Sequence, residues 1–197
     1  MIFKNLFRRN RPESASPMII IVGLGNVGRE YDGTRHNAGF LAVDDLRARL
    51  GFDDFKEDKK YSGLIAFGKV RAQKLVLLKP ATFMNESGRS VRALLDFYKL
   101  PPTTLIVIHD DVDLPSGKFR TTDSSRAAGH NGVQDIVDHL GTQDFFRIRL
   151  GIGRPTPENG ICTTLHDYVL QKFTAEEKEG LERLFPEVKK VIETRLK

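Results

Sequence analysis

The sequence predicts a single α/β domain, built on a central mixed, mostly parallel twisted sheet flanked by helices. Two continuous apolar runs, MIIIV (18–22) and TLIVIH (104–109), have no polar alternation and so read as strands buried on both faces. Between them lie stretches with apolar residues at three- and four-residue steps, the mark of helices with one buried face. Strands and helices alternate along the chain without an internal linker or a repeat of fixed period, which is the α/β pattern.

Each element follows from its own stretch. After the first strand, Phe40, Val43, Leu46 and Leu50 form a helical stripe that Asn37 is positioned to N-cap. YSGLIAFG (61–68) and KLVLLKP (74–80) read as two strands joined by a turn. Val91, Leu94, Leu95 and Tyr98 mark a second helix, stopped by Pro101 and Pro102. GKFRTT (117–122) is a short polar strand, and Val133, Ile136, Val137 and Leu140 mark a third helix. In FFRIRLGIG (145–153), Phe146, Ile148, Leu150 and Ile152 point one way, while Arg147 and Arg149 point away from the core. Thr174 and Glu177 form a capping box ahead of a last helical stripe, which Pro186 is expected to kink or divide.

Composition narrows the function. A chain of 197 residues holds a core without metal or disulfide support, and its single cysteine, Cys162, fits a reducing cytoplasm. No apolar stretch reaches the length of a membrane helix. Residues 1–17 hold Lys4, Arg8, Arg9 and Arg11 against Glu13, so most of the net charge of +5 belongs to this segment. It is expected to be a disordered basic extension preceding a catalytic domain over 18–197. The body lacks a general basic coat, so contact with nucleic acid requires a local patch.

Gly23, Gly25 and Gly28 match the spacing of a dinucleotide-binding turn, but the context does not. The helical stripe starts about ten residues too late to aim its N-terminus at a pyrophosphate. The acids that would hold a ribose, Asp44 and Asp45, fall on that helix rather than at a strand end. The glycines instead let the backbone turn sharply beside a polar site.

Four polar stretches fall at the connections: GNVGREYDGTRHN (25–37), TFMNES (82–87), HDDVD (109–113) and GHNG (129–132). They contain no serine elbow and no cysteine beside a histidine, so covalent catalysis lacks a nucleophile. What they offer is a histidine to activate water, an aspartate to orient it and several Asn amides able to donate to an oxyanion. His109, Asp110, Asp111 and Asp113 also form a candidate metal site, set against one working carboxylate with solvated neighbours. Asn85 and Asn131 precede helical stripes and are either N-caps or substrate contacts. His130 is placed to cap or orient the following turn, whereas His139 and His166 read as surface or packing residues.

GLGNVGREYDGTRHNAGF (23–40), KPATFMNESGRSV (79–91), HDDVDLPSG (109–117), GHNGVQDIVDHLGT (129–142) and FFRIRLGIGRP (145–155) resemble, in that order, the bacterial-type peptidyl-tRNA hydrolase family. The resemblance continues weakly through DYVL (167–170). It implies cleavage of the ester joining a peptide to the terminal ribose of tRNA, by a cofactor-free, metal-free cytoplasmic monomer. It implies that His36 is the base, that Asp110 orients it, and that Asn26 positions the carbonyl or the water. Asn85 and Asn131 would hold the peptide and the scissile region, Tyr31 and Met84 would line the cleft, and Arg149 would contact tRNA. Lys118, Arg120, Arg126 and Arg154 are candidates to extend that patch. Asn37 is expected either to have a structural task or to support a site residue from behind.

The chain departs from the family pattern at three places. Val27 replaces a usual proline, and 124–128 (SSRAA) replaces most of a glycine-rich segment. There Arg126 either adds a phosphate contact or obstructs the cleft. The chain also stops soon after Leu196, ahead of the family's usual final segment. Two other classes remain to be distinguished: an RNA-binding module with a decayed site, and a dinucleotide-dependent enzyme.

Overall fold

Apolar runs without alternation need cover on both faces, and the computed structural model, which describes residues 18–156 and 163–196, provides it. β1 (Ile19–Gly23) is central, and pairs in parallel with β4 (Gln73–Pro80) on one side and β5 (Leu105–Asp111) on the other. β7 (Phe146–Gly151) continues the parallel set beside β5. Antiparallel strands finish both edges: β3 (Gly63–Val70) on β4 with β2 (Lys56–Asp58) outside it, and β6 (Phe119–Thr122) on β7. The order is β2-β3-β4-β1-β5-β7-β6, the mixed sheet expected from the sequence.

Strand alternation divides the core in two. Ile21, Leu75, Leu77, Ile106, Ile108, Ile148 and Leu150 face α1 (Ala38–Leu50), α5 (Ala175–Glu182) and α6 (Phe185–Arg195). Ile20, Val22, Val76, Leu78, Leu105 and Val107 face α2 (Ser87–Tyr98) and α3 (Asn131–Leu140). A sixth helix, α4 (Leu165–Leu170), and the strand β2 are additions to the sequence reading. The capping box of Thr174 and Glu177 is present, and Pro186 lies in the first turn of α6, so the last stripe is divided as expected. The basic extension over 1–17 and Cys162 lie outside the described residues.

Two expectations are corrected. Asn37 does not cap α1 with its side chain, because its amide is spent on the backbone of Asn26. Arg147 does not face away from the core: it is 1% exposed, on the α3 side of the sheet. Alternation showed which face it occupies, but a central strand in this sheet is buried on both faces. Its Nη2 donates to the carbonyls of Ser125 (2.6 Å) and Arg126 (3.0 Å) and to the Ser125 hydroxyl, tying the unusual 124–128 segment to β7.

The glycines explain how α1 comes so close to the strand ends. A Cβ on Gly39 would lie 2.4 Å from both the Ile108 carbonyl oxygen and the Leu24 nitrogen, and one on Gly23 would lie 2.2 Å from the Gly39 oxygen. With no side chains there, Leu24 N–H donates to Ile108 O at 2.9 Å and Phe40 N–H to Leu24 O at 3.2 Å. Gly39→Ala is expected to destabilise the fold by about 1–3 kcal/mol, since the blocking atoms are backbone and cannot rotate away. Chemical denaturation measures this; a midpoint equal to wild type would contradict the close approach.

Candidate active site

β5 ends at Asp111 with its last residues fully covered, so the carboxylate of Asp110 enters the interior at the C-terminal edge of the sheet. A buried carboxylate needs hydrogen-bond donors, and two imidazoles supply them. His36, in the 3₁₀ turn just before α1, places Nδ1 at 3.0 and 3.1 Å from the two Asp110 oxygens. His130, which precedes α3, places Nε2 at 3.0 Å from the same Oδ1.

The protons can be assigned from the partners. His130 Nδ1 accepts from the Val133 N–H (3.3 Å) and thereby caps α3, so its proton is on Nε2 and faces Asp110. His36 donates through Nδ1, which leaves Nε2 with a lone pair and no protein partner among the described residues. Its side chain is 12% exposed against 3% for Asp110, so this nitrogen belongs to the more accessible member of the pair.

Charge follows the same arrangement. Burial alone would raise the Asp110 pKa, but His36 and His130 hold it well below the usual carboxylate range. For His36, burial pushes the pKa down, while the Asp110 charge and hydrogen bond outweigh it and raise the pKa above 6.5. His109, fully enclosed and packed edge-on to the His130 ring, is held well below 6.5 by burial and by His130, and is therefore neutral.

Asn26 is fixed from three sides. Its backbone N–H and carbonyl are held by the Asn37 amide at 2.8 and 3.0 Å, and its Oδ1 accepts from the Met84 N–H at 2.8 Å. The side-chain orientation is therefore set, and Nδ2 keeps its two N–H donors without a partner among the described residues. Met84 is buried, with its sulfur against Gly132 of α3, where a Cβ would lie 2.4 Å from it. Thus the loops carrying Asn26, His36, Met84 and His130 are linked by direct contacts.

Asn85 and Asn131 are both exposed and cap nothing: Asn85 sits inside the 3₁₀ turn Met84–Glu86, Glu86 holds the cap position of α2, and His130 holds that of α3. Tyr31 is half-buried at the end of a short 3₁₀ turn, with its carbonyl bonded to Thr34 and no side-chain hydrogen bond to the cluster. Arg149 is partly buried and paired with Asp111.

The HDDVD metal alternative is dispersed by the fold. His109 Nδ1 donates to the Asp110 carbonyl oxygen (2.7 Å), Asp111 pairs with Arg149, and Asp113 pairs with Arg154 (2.6 Å). The set that does converge is His36, Asp110 and His130, with donor atoms within 4.8 Å of one another. Both imidazole nitrogens already direct a proton at the carboxylate, so a cation there would have to displace two N–H donors.

Two residues of this site escaped the sequence reading. His130 showed only its capping position, although the GHNG context placed it beside a candidate site. Arg35, adjacent to His36, is 3% exposed and bonds Glu177 through Nη2 (2.8 and 3.0 Å) and Nε (3.2 Å). Its guanidinium also lies 4.2 Å over the Tyr168 ring, and its backbone N–H donates to Gln171 O at 3.0 Å. The C-terminal helices thus hold the His36 turn from behind.

Fold and site together define an α/β protein with a buried carboxylate shared by two histidines at the sheet's C-terminal edge, and a fixed amide on a loop tied to the residue after His36. A sequence model described as peptidyl-tRNA hydrolase matches residues 20–197. Peptidyl-tRNA hydrolases of Bacillus cereus and Brevibacillus brevis are 48% and 44% identical, covering 83% and 84% of this chain and 85% and 84% of theirs. The crystal structure of peptidyl-tRNA hydrolase from Acinetobacter baumannii is 36% identical with a TM-score of 0.78, over 87% of this chain and 84% of that one. The chain belongs to the peptidyl-tRNA hydrolase family and is a hydrolase.

The raised His36 pKa has a measurable sign. Titration of its ring by NMR is expected to give a midpoint above 6.5, and Asp110→Asn, which removes the charge and leaves the burial, a midpoint below it. A midpoint unmoved by Asp110→Asn would contradict the coupling.

Proposed function

We propose that the chain hydrolyses the ester between a peptide and the terminal ribose of tRNA, using a water activated by His36. The observation that carries this reading is the contact of His36 Nδ1 with both Asp110 oxygens, which leaves Nε2 as the base. Nε2 takes a proton from water as the water oxygen bonds to the acyl carbon. Asp110 stabilises the imidazolium that forms, without itself taking the proton. The carbonyl oxygen gains charge and is met by the Nδ2 donors of Asn26. When the bond to ribose oxygen breaks, the imidazolium returns the proton to that oxygen. The products are the free peptide and a tRNA ready for reuse in translation.

General-base assistance contributes ~10²–10⁴ in rate and a fixed oxyanion donor ~2.7–4 kcal/mol. An ester leaves more readily than an amide, and these contributions suffice for it. In this reading the exposed Asn85 and Asn131, next in sequence to Met84 and to the Gly132 it touches, hold the peptide and the scissile region, and Tyr31 lines the cleft with Met84. Arg149 contacts a tRNA phosphate. The enzyme uses neither metal nor organic cofactor and acts as a cytoplasmic monomer.

The test is release of an N-blocked amino acid from aminoacyl-tRNA. His36→Ala is expected to lose at least ~10³-fold in kcat, and Asn26→Ala ~10²–10³-fold, with both proteins folded. Activity of wild type should fall on the acid side with a midpoint above 6.5, as the base is protonated. Near-normal turnover by His36→Ala would overturn the mechanism.

A further inference from the structure

Arg149 and Arg120 are register partners on β7 and β6, so two guanidinium side chains leave the same face of the sheet side by side. Like charges directly opposite on paired strands are unfavourable. One carboxylate answers Arg149. Asp111, with 7% of its side chain exposed, receives Arg149 Nε on Oδ2 and the Asp113 N–H on Oδ1 at 2.8 Å. Its carbonyl accepts from Ile152 N–H at 3.0 Å, so backbone and side chain are both fixed.

The way Arg149 is held matters chemically. Because Asp111 takes the Nε proton, neither terminal nitrogen, Nη1 or Nη2, is occupied by a protein partner among the described residues. Those two nitrogens are the fork that binds a phosphate in bidentate fashion. Exposed Arg120 lies alongside as a second cation.

We propose that Asp111 is a positioning residue for substrate: it holds Arg149 by Nε so that the terminal fork, with Arg120 beside it, receives one phosphate group of the tRNA. This rests on the reading of Arg149 as a tRNA contact. It makes a prediction opposite in sign to simple electrostatics. Deleting an acid from a basic patch ordinarily strengthens polyanion binding, whereas here it releases the cation from its orientation.

The experiment measures the affinity of deacylated tRNA at two salt concentrations for wild type, Asp111→Ala, Asp111→Asn, Arg149→Ala and the double variant Asp111→Ala/Arg149→Ala. Arg149→Ala is expected to weaken binding and lower the salt slope by about one. Asp111→Ala is expected to weaken binding about fivefold or more in the presence of Arg149 and to have no effect in its absence. Asp111→Asn, which keeps an acceptor for Nε and the size of the side chain, should restore wild-type affinity or exceed it. If Arg149→Ala binds like wild type, the tRNA reading falls and the proposal with it. If Arg149→Ala weakens binding while Asp111→Ala does not, or does so equally without Arg149, the positioning alone is overturned.

Discussion

The structure turns on one buried carboxylate that accepts hydrogen bonds from two imidazoles. An unpaired charge at the position of Asp110 would cost several kcal/mol. His36 and His130 meet that cost with N–H donors, and in doing so each is given a defined tautomer. One interaction therefore sets three properties: Asp110 stays ionised, His36 keeps Nε2 as a lone pair, and α3 begins on the Nδ1 of His130. The linkage runs in two directions. Asp110, with a lowered pKa, contributes stability above pH ~3.8 that is lost as pH falls through its folded value. His36, with a raised pKa, contributes stability below pH ~6.5 that is lost as pH rises through its folded value.

The fold brings these groups together by placing helix starts against strand ends. α1 reaches the ends of β1 and β5 because Gly23 and Gly39 carry no side chains there. The His36 turn is braced from the opposite side by Arg35, whose guanidinium is shared between Glu177 and Tyr168. Asn37 closes the front by taking both backbone groups of Asn26. Residues far apart in sequence thus fix three consecutive positions, Arg35, His36 and Asn37, each through a different partner.

Much of this was legible in the sequence. Apolar runs and helical stripes located β1, β5, α1, α2 and α3, and the polar stretches at their ends contained His36, Asp110 and Asn26. The edge strand β2 was not legible, because Lys56, Glu57 and Asp58 pair through backbone alone and carry no apolar pattern. Alternation identified the face of Arg147 but not its burial, which depends on the segment 124–128 folding over it. Glu177 announced its capping role, since that is local. Its bond to Arg35 spans 142 residues and leaves no local mark. For the same reason His130 looked like a cap and not also a partner of Asp110, and Asp111 looked like a solvated neighbour.

The most direct measurement is the tautomer of the singly protonated His36 and His130 rings, read from ¹⁵N chemical shifts and couplings in the folded protein. The hydrogen bonds to Asp110 and from Val133 require His36 to carry its proton on Nδ1 and His130 on Nε2. A His36 ring protonated on Nε2 would carry its lone pair on Nδ1, facing the Asp110 carboxylate, and would contradict that arrangement.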